Sequence, residues 1–262
     1  MNNTQTRMLD VLKELRDEHG VIAIKAEFEA EGSRTDELVM LNEVVFRADM
    51  RLIIKVGGCE AIRDLDQCRI LGASGIMAPM IETPFAMSKY VGAAKKAYGD
   101  EMDQIEWIIN TETKTCRENF IPILEAGEGM LDTIAIGRVD LSGSMGLTRA
   151  DINGPVVFEA CRYFAETAKA RGITVGFGGG ISFDAIPFII DMYDTIDKFE
   201  TRKVVFAASN DEQRLKNGIL RAMEFEILYL RSKCEFYDRM ANEDRARMEM
   251  LTARFEKAQS LV

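Results

Sequence analysis

The stretch TIAIGRVDL, residues 133–141, reads as a buried strand that ends in charged residues. Ile134 and Ile136 are β-branched and apolar, whereas Arg138 and Asp140 bring opposite charges to the end of the same segment. Because side chains alternate between faces along a strand, Arg138 and Asp140 are expected to share one face. Barrels of alternating strands and helices place their reacting groups at the carboxyl ends of the strands. The stretch therefore predicts a barrel strand that delivers charge to a functional site.

Six other segments repeat this pattern and alternate with amphipathic stretches. They cover residues 21–29, 51–58, 75–82, 105–113, 173–181 and 203–209, and the helical stretches cover 35–48, 60–71, 84–98, 115–127 and 155–171. Alternating strand and helix units give a parallel sheet covered on both faces. No Gly-x-Gly-x-x-Gly follows the first strand, which disfavours an open dinucleotide-binding sheet. We therefore predict an α/β fold, a TIM (β/α)8-type barrel whose eighth strand is weak in the sequence.

Residues 211–262 read as long amphipathic helices rather than as strand and helix units. Apolar residues recur there every three or four positions, without proline. Ten basic and ten acidic side chains balance in this segment, so the formal net charge of −10 lies wholly in residues 1–210. We predict a catalytic barrel domain over 1–210 and a C-terminal helical extension over 211–262. Its apolar stripe needs a partner surface, either the flank of its own barrel or a neighbouring subunit of a homo-oligomer.

The composition disfavours several classes of protein. An acidic chain without basic patches disfavours a nucleic-acid partner. No apolar run approaches the roughly 18 residues that cross a bilayer, and residues 1–20 lack the pattern of a signal peptide. The five cysteines are scattered, with no Cys-x-x-Cys pair, which disfavours disulfides and structural zinc. We therefore expect a cytoplasmic, soluble protein that acts on a small molecule, with no membrane partner.

Polar side chains also end the first two strands. Lys25, Glu27 and Glu29 share one face of the first strand, and Lys55 ends the second. The first three are either binding and proton-transfer groups or a charge network without chemistry. His19, the only histidine, precedes Gly20 where a helix is expected to end. There it interacts with the helix dipole, so it is not a catalytic candidate.

Two further strands each deliver one carboxylate to the same end of the barrel. Glu112 shares a face with Asn110 at the end of the fourth strand, and Asp140 ends the fifth. Carboxylates that meet at one mouth repel each other unless a cation lies between them, and a divalent metal is the usual solution. Oxygen ligands without histidine or cysteine favour Mg²⁺ or Mn²⁺ over zinc. Glu112 and Asp140 are therefore the predicted metal ligands, with a solvated loop carboxylate as the alternative for each.

Three motifs, taken in order, resemble one family. GIMAPMIET (75–83), INTETKT (109–115) and IGRVDLSGSMG (136–146) resemble the HpcH/HpaI aldolase/citrate lyase family of the pyruvate and phosphoenolpyruvate superfamily, over about residues 21–209. The resemblance implies a TIM barrel that makes or breaks a carbon–carbon bond beside a pyruvate-like or acyl-CoA-derived enolate. It also implies a divalent metal held by Glu112 and Asp140. Backbone amides would face a substrate carboxylate from four residues, Gly137, Arg138, Val139 and Asp140.

Two positions depart from the family pattern. Lys55 stands where the family commonly has an arginine, and Arg138 is expected to compensate by holding anionic substrate oxygens. The loop that matches 27–31 reads EFEAE and lacks the family histidine, so proton transfer falls to Glu27 or Glu29, to Lys25, or to metal-bound water. We hypothesise a metal-dependent carbon–carbon lyase (aldolase) or synthase that acts on a 2-oxo acid through a metal-stabilised enolate.

Two other functions stay open. In the first, Lys25 or Lys55 is the Schiff-base nucleophile of an aldolase that needs no metal, which requires burial to lower the pKa of the amine. In the second, the barrel is catalytically silent and binds a metabolite or serves as an assembly subunit through residues 211–262. The missing histidine fits this second reading.

Overall fold

Eight strands close into one barrel in the computed structural model, which describes residues 1–260. They are β1 Val21–Glu27, β2 Arg51–Lys55, β3 Gly75–Ala78, β4 Glu106–Thr111, β5 Thr133–Gly137, β6 Thr174–Gly178, β7 Lys198–Glu200 and β8 Val204–Ala207. The weak strand is β7, which is only three residues long. The TIM-barrel prediction is therefore confirmed, with an eighth strand too short to show a period in the sequence.

The barrel is mixed rather than wholly parallel. Strands β1 to β7 pair in parallel, whereas β8 pairs antiparallel with both β7 and β1. Only residues 201–203 connect β7 to β8, and a parallel connection needs a crossover of a dozen or more residues. The chain must therefore turn back at this point, and the expectation of an all-parallel sheet is wrong for its last strand.

Ten helices among the described residues surround the barrel or extend from it. They are α1 Asn3–His19, α2 Thr35–Arg47, α3 Ile62–Ile70, α4 Pro84–Tyr98, α5 Lys114–Glu118, α6 Phe120–Ala126, α7 Arg138–Ser144, α8 Pro155–Lys169, α9 Ile186–Asp191 and α10 Glu212–Gln259. The predicted helical stretches correspond to α2, α3, α4, α8 and the α5–α6 pair. Within residues 1–260, no helix is both long and apolar enough to cross a membrane.

The predicted strand over 133–141 changes into a helix halfway along. β5 ends at Gly137, and α7 begins at Arg138. Positions two apart share a face in a strand, but they point in different directions in a helix. Arg138 and Asp140 therefore do not share a face, and that part of the sequence interpretation is wrong.

The predicted extension over 211–262 is one long helix, α10, up to Gln259; residues 261–262 lie outside the described residues. Near its start, Arg214 Nε donates to the backbone oxygen of Glu18 at the end of α1, over 3.2 Å. Farther along, Glu235 Oε1 accepts from Thr4 Oγ1 at the start of α1, over 2.8 Å. Because α1 ends where β1 begins, α10 runs from the amino end of the barrel to its carboxyl end.

Candidate active site

A cavity of about 480 Å³ opens at the carboxyl ends of the strands. Its lining includes all the predicted site residues except Arg138: Lys25, Glu27, Glu29, Lys55, Glu112, Gly137, Val139 and Asp140. The fold therefore brings these positions together around one space. Their chemical roles stay predictions.

Inward-facing positions change from apolar to polar toward the mouth of the barrel. A small apolar cluster fills the interior and consists of Ala23, Ile53, Met77, Ile108, Ala135 and Val205. Two residues further along three of these strands, the inward positions are Lys25, Lys55 and Asn110, which line the cavity. The two-residue period of a strand places them directly above the apolar layer. The apolar layer thus forms the floor of a charged cavity.

Glu112 is the most deeply buried carboxylate of the cavity, with 2% of its surface exposed. Its Oε1 accepts the backbone N–H of Met80 over 3.0 Å, and its Oε2 lies 3.7 Å from Lys55 Nζ. Burial raises the pKa of Glu112, and the charge of Asp140 adds to that rise, while Lys55 opposes it. An ionised Glu112 is thus held in a place that favours an additional cation.

Gly137 makes room for this carboxylate. A Cβ atom at position 137 would lie 2.6 Å from Glu112 Oε2 and 2.8 Å from Glu112 Cβ. Such distances are too short for non-bonded atoms, so a larger residue would displace Glu112. Gly137, at the end of β5, therefore leaves the space that the side chain of Glu112, directly after β4, occupies.

Asp140 lies in the first turn of α7 and is exposed at the cavity. It comes from the element that directly follows β5, whereas Glu112 directly follows β4. Both residues line the same cavity, and the charge of Asp140 adds to the rise in the pKa of Glu112 that burial causes. The pair selected from the sequence therefore faces one cavity from two consecutive strands.

Arg138 points away from the cavity and is fully buried. Its guanidinium donates to the backbone oxygen of Gly178 over 3.3 Å and to that of Gly179 over 2.8 Å. A third donation, over 2.8 Å, goes to Asn153 Oδ1. The donors of the fork are directed at the loop after β6 rather than at a substrate. The prediction that Arg138 holds substrate oxygens is therefore wrong, and the reason is the start of α7 at this residue.

Aromatic rings accommodate the buried charge of Arg138. The guanidinium carbon lies 5.0 Å from the ring centre of Phe177 and 4.6 Å from that of Phe188. Burial lowers the pKa of Arg138 to about 10, so the side chain is still charged at neutral pH. We interpret Arg138 as a brace between α7, which carries Asp140, and the glycine loop after β6.

Lys25 is held between two carboxylates. Its Nζ lies 2.5 Å from Glu200 Oε1 and 3.5 Å from Glu27 Oε1. Burial alone would lower the pKa of Lys25, but the charges of Glu200 and Glu27 outweigh it and raise the pKa. A Schiff-base nucleophile must be a neutral amine. The surroundings of Lys25 therefore favour an ammonium ion rather than a nucleophile.

Lys55 connects the loop after β1 with the end of β4. Its Nζ lies 2.9 Å from Glu29 Oε2 and 3.7 Å from Glu112 Oε2. Glu29 is more exposed than Glu27, with 27% against 9% of the side chain accessible. Glu29 is consequently the carboxylate of this loop that a substrate reaches more easily.

Sequence reasoning missed four charged residues that line the cavity: Arg149, Glu200, Arg202 and Glu226. Glu200 ends β7, whose three residues are too few to show a period. Glu226 belongs to α10, and its spacing in a helical stripe gives no sign that it reaches the barrel mouth. Only the course of α10 along the barrel puts it there.

A buried network holds the loop that carries Glu29. Glu31 binds Lys203 and also accepts from Arg202 Nε over 3.1 Å. Lys203 is fully buried, and its Nζ lies 4.6 Å from the ring centre of Tyr229 in α10. The loop after β1 is thus fixed to the turn between β7 and β8, and through Lys203 to the C-terminal helix.

The oxygen atoms of the cavity fit a hard divalent cation. Glu112 and Asp140 supply two carboxylates, and Mg²⁺ is commonly held by one or two carboxylates together with substrate oxygens and waters. Asn110 is also buried, lines the cavity and has an Oδ1 without a hydrogen-bond partner among residues 1–260. A buried polar oxygen of this kind needs a partner. The donor set is therefore compatible with the predicted Mg²⁺ or Mn²⁺.

A different cluster lies at the amino end of the barrel. Among residues 1–260, Glu14, Glu18 and His19 are the one trio of possible ligands whose atoms lie within 4.8 Å of one another. Arg221 Nε already binds Glu14 Oε1 over 2.7 Å, so a cation would compete with a guanidinium there. This cluster is separated from the cavity by the length of the strands.

A closed barrel with a charged cavity at the carboxyl ends of its strands is the arrangement of a barrel enzyme. The chain belongs to the HpcH/HpaI aldolase/citrate lyase family, whose sequence model matches residues 15–178. The match confirms the resemblance that the three motifs indicated. The protein is therefore an enzyme of the aldolase/citrate lyase type.

Solved structures of similar proteins share the fold at low sequence identity. The HpcH/HpaI aldolase of Desulfitobacterium hafniense DCB-2 has a TM-score of 0.60 at 16% identity, over 74% of this chain and 82% of that chain. An HpcH/HpaI aldolase/citrate lyase family protein of Burkholderia cenocepacia J2315 has a TM-score of 0.58 at 16% identity, over 85% and 99%. Citrate synthase SbnG has a TM-score of 0.60 at 17% identity, over 87% and 90%. No curated protein matches the chain significantly.

Proposed function

We propose that this protein is a divalent-metal-dependent carbon–carbon lyase, or the corresponding synthase, that acts on a 2-oxo acid of the pyruvate type. The observation that carries the proposal is that Glu112, directly after β4, and Asp140, in the helix after β5, line one cavity that also contains Lys55. The proposal includes the synthase direction because one protein with a similar fold, SbnG, is a citrate synthase.

Glu112 and Asp140 would hold Mg²⁺ or Mn²⁺, which supplies fixed positive charge where an enolate develops. The Lys55 ammonium, 3.7 Å from Glu112 Oε2, adds a second positive charge beside that place. Lys55 therefore has the position to bind the carboxylate of a 2-oxo acid. Backbone amides from Gly137 to Asp140 are the other predicted contact for that carboxylate.

Glu29 is the proposed base, and Glu27 is the alternative. In cleavage, the base accepts the proton of the hydroxyl group beside the scissile bond, that oxygen forms a carbonyl, and the carbon–carbon bond breaks. The electron pair of that bond stays on the 2-oxo acid as an enolate, which is then protonated. Glu29 is more exposed than Glu27, and its Oε2 lies 2.9 Å from Lys55 Nζ. Of these two carboxylates, Glu29 is therefore the better placed to accept the proton of a substrate hydroxyl group.

The surroundings of the two lysines do not favour the Schiff-base alternative. Lys25 is paired with Glu200 and Glu27, and Lys55 with Glu29 and Glu112. At Lys25 burial alone would lower the pKa, but the two carboxylates outweigh it and raise the pKa. At Lys55 two carboxylate oxygens lie 2.9 and 3.7 Å from Nζ. Trapping with borohydride and pyruvate is therefore expected to modify neither lysine.

The test is Mn²⁺ binding, measured by electron paramagnetic resonance, together with deuterium uptake into pyruvate. Glu112→Gln removes one ligand charge at nearly constant shape, so we expect at least a tenfold loss of Mn²⁺ affinity and loss of deuterium uptake. Glu118→Gln is the matched control, because Glu118 is exposed at the end of α5, outside the cavity.

Two results would contradict the proposal. Undiminished Mn²⁺ affinity in Glu112→Gln would refute the ligand assignment. Wild-type protein that binds Mn²⁺ but exchanges no deuterium would instead favour the catalytically silent barrel. The cytoplasmic location and the homo-oligomeric state stay predictions.

A further inference from the structure

Helix α10 has two apolar faces, of which only one packs against the barrel. The inner face is buried and consists of Leu215, Gly218, Ile219, Ala222, Phe225, Leu228, Tyr229 and Ser232. On the opposite side, the outer stripe of Leu220, Met223, Ile227 and Leu230 is exposed, with between 43% and 57% of each residue accessible. The barrel therefore explains one face of this helix and leaves the other without a partner among the described residues.

The outer stripe continues beyond the barrel with a constant spacing. Steps of three and four residues alternate from Leu220 through Cys234, Tyr237, Ala241, Asp244, Met248 and Leu251 to Phe255. Tyr237 is the member of this series that also contacts its own chain, because its hydroxyl donates to Glu37 Oε1 of α2 over 2.5 Å. Residues 242–260 are all exposed. An apolar repeat of 3.5 residues sustained over several heptads is the pattern of a coiled coil rather than of a helix on a globular surface.

We propose that a second copy of this chain covers the outer stripe, and that the two α10 helices form an antiparallel coiled coil. The charges beside the stripe carry this choice of partner. Glu224, Arg231, Asp238 and Arg245 follow one another at intervals of seven residues and alternate in sign. Centring an antiparallel pair between Arg231 and Asp238 places Arg231 against the partner's Asp238, and Glu224 against the partner's Arg245. Each flanking contact is then between opposite charges.

The central residues are available for this contact. Arg231 and Asp238 are exposed and form no ion pair among residues 1–260. Glu224 already binds Arg7 and Arg221 within the chain. The contact between Arg231 and the partner's Asp238, which occurs twice by symmetry, is therefore the one that discriminates between arrangements.

Asp244 disfavours a parallel pair. Because Asp244 occupies a core position of the repeat, a parallel pair in register would place it against the partner's Asp244. In the antiparallel pair the two Asp244 residues are separated by about 19 residues of helix, or roughly 28 Å. The antiparallel arrangement also lays each exposed C-terminal half on the outer stripe that the other barrel leaves uncovered.

The first test is the mass of the full-length protein in solution, measured by sedimentation equilibrium over a range of concentrations. We expect Ile227→Lys to halve the mass of the assembly, because it places a charge at the centre of the outer stripe. Ile70→Lys is the matched control, since Ile70 is also an exposed isoleucine but lies on α3. Circular dichroism checks that both variants keep the fold.

The second test exchanges charges. Arg231→Glu is expected to raise the dissociation constant of the pair about tenfold, because it faces the partner's Asp238. Adding Asp238→Arg in the same chain should restore the wild-type value. In a parallel pair, position 231 would instead face the partner's Glu226, so the double variant would bring like charges together and weaken association further.

Three results would overturn the proposal. They are a wild-type protein that is monomeric at every concentration, an unchanged mass in Ile227→Lys, and a double variant that associates no better than Arg231→Glu alone. None of these readouts depends on catalysis, so the proposed function stands or fails separately.

Discussion

Glu112 shows how one residue depends on several elements. Its ionised form receives the N–H of Met80 and lies near Lys55, while burial and Asp140 raise its pKa. The absent side chain of Gly137 leaves the room that it needs. Binding a cation would satisfy a charge that the protein itself only partly balances.

Arg138 gives a prediction at the residue scale. Arg138→Leu would leave two buried backbone oxygens and Asn153 without their donor, so we expect the free energy of unfolding to fall by about 3 kcal/mol. Urea denaturation measures this change. Arg162→Leu is the control, because Arg162 is exposed on α8 and its ion pairs contribute little. A variant with unchanged stability but no activity would restore Arg138 to the role of a substrate ligand.

Residue type and spacing alone could locate most of the cavity. The two-residue period placed Lys25, Lys55 and Glu112 correctly because β1, β2 and β4 hold that period up to the mouth. It failed at Arg138, since the change from strand to helix after Gly137 has no mark in an apolar pattern. The direction in which a side chain points cannot be predicted from the spacing where a strand changes into a helix.

At the scale of elements, a cluster of charged residues connects the amino ends of several barrel strands. Glu106 at the start of β4 binds Lys198 of β7 and accepts from Thr133 Oγ1 over 2.6 Å. Arg51 lies at the start of β2, and its Nη2 is 2.7 Å from the second carboxylate oxygen of Glu106, Oε2. Contacts of this kind at the amino ends of barrel strands support stability rather than chemistry.

The pKa of Glu106 leads to a prediction about pH. Burial alone would raise this pKa, but Lys198 outweighs it, and the pKa lies below the ordinary value of 4.5. The stability that ionised Glu106 contributes is therefore present above about pH 4.5 and is lost as the pH falls through the lowered pKa. Glu106→Gln should reduce the free energy of unfolding by about 2 kcal/mol at neutral pH.

The difference between wild type and Glu106→Gln should shrink in acid. Urea denaturation at neutral pH and at about pH 3 compares the two. Glu159→Gln is the control, because Glu159 is an exposed residue of α8. An equal loss of stability at both pH values would show that shape, rather than charge, is what Glu106 contributes.

The order of strands and helices was accessible from the sequence, but the reversal of β8 was not. Residues 203–209 carry the apolar composition of a buried strand, and composition has no direction. The direction of β8 follows from the length of the connection between β7 and β8. That length could not be counted in the sequence because β7 was not recognised. Because β7 is so short, the sequence revealed neither this strand nor the antiparallel direction of β8.

At the scale of the whole molecule, the barrel and the extension depend on each other. Leu215, Ile219 and Phe225 of α10 are almost fully buried. Burying each such side chain contributes about 1.5–3 kcal/mol, and a typical domain is stable by only about 5–15 kcal/mol. The division at residue 210 is therefore a boundary of sequence pattern more than of stability.

Two truncations test this dependence. A chain that ends at residue 210 should fail to give the cooperative thermal transition of the full protein, because it exposes the surface that α10 covers. A chain that ends at residue 241 should keep the cooperative transition, since residues 242–260 are exposed within one chain. Its midpoint should match that of Ile227→Lys, because both variants lose the proposed α10 pair. Circular dichroism on heating measures both. A shorter chain that unfolds like the full one would show that residues 1–210 fold alone.

The reversal of β8 decides which side of the molecule its ends occupy. β8 runs toward the amino ends of β1 to β7, so α10 runs back toward their carboxyl ends and passes the mouth of the cavity. α1 starts beside α10 on that side, where Thr4 donates to Glu235. An affinity tag, a resin or a fusion partner joined to either end would consequently stand on the side by which small molecules enter. Immobilised preparations of this enzyme should be slowed by short spacers and relieved by long ones.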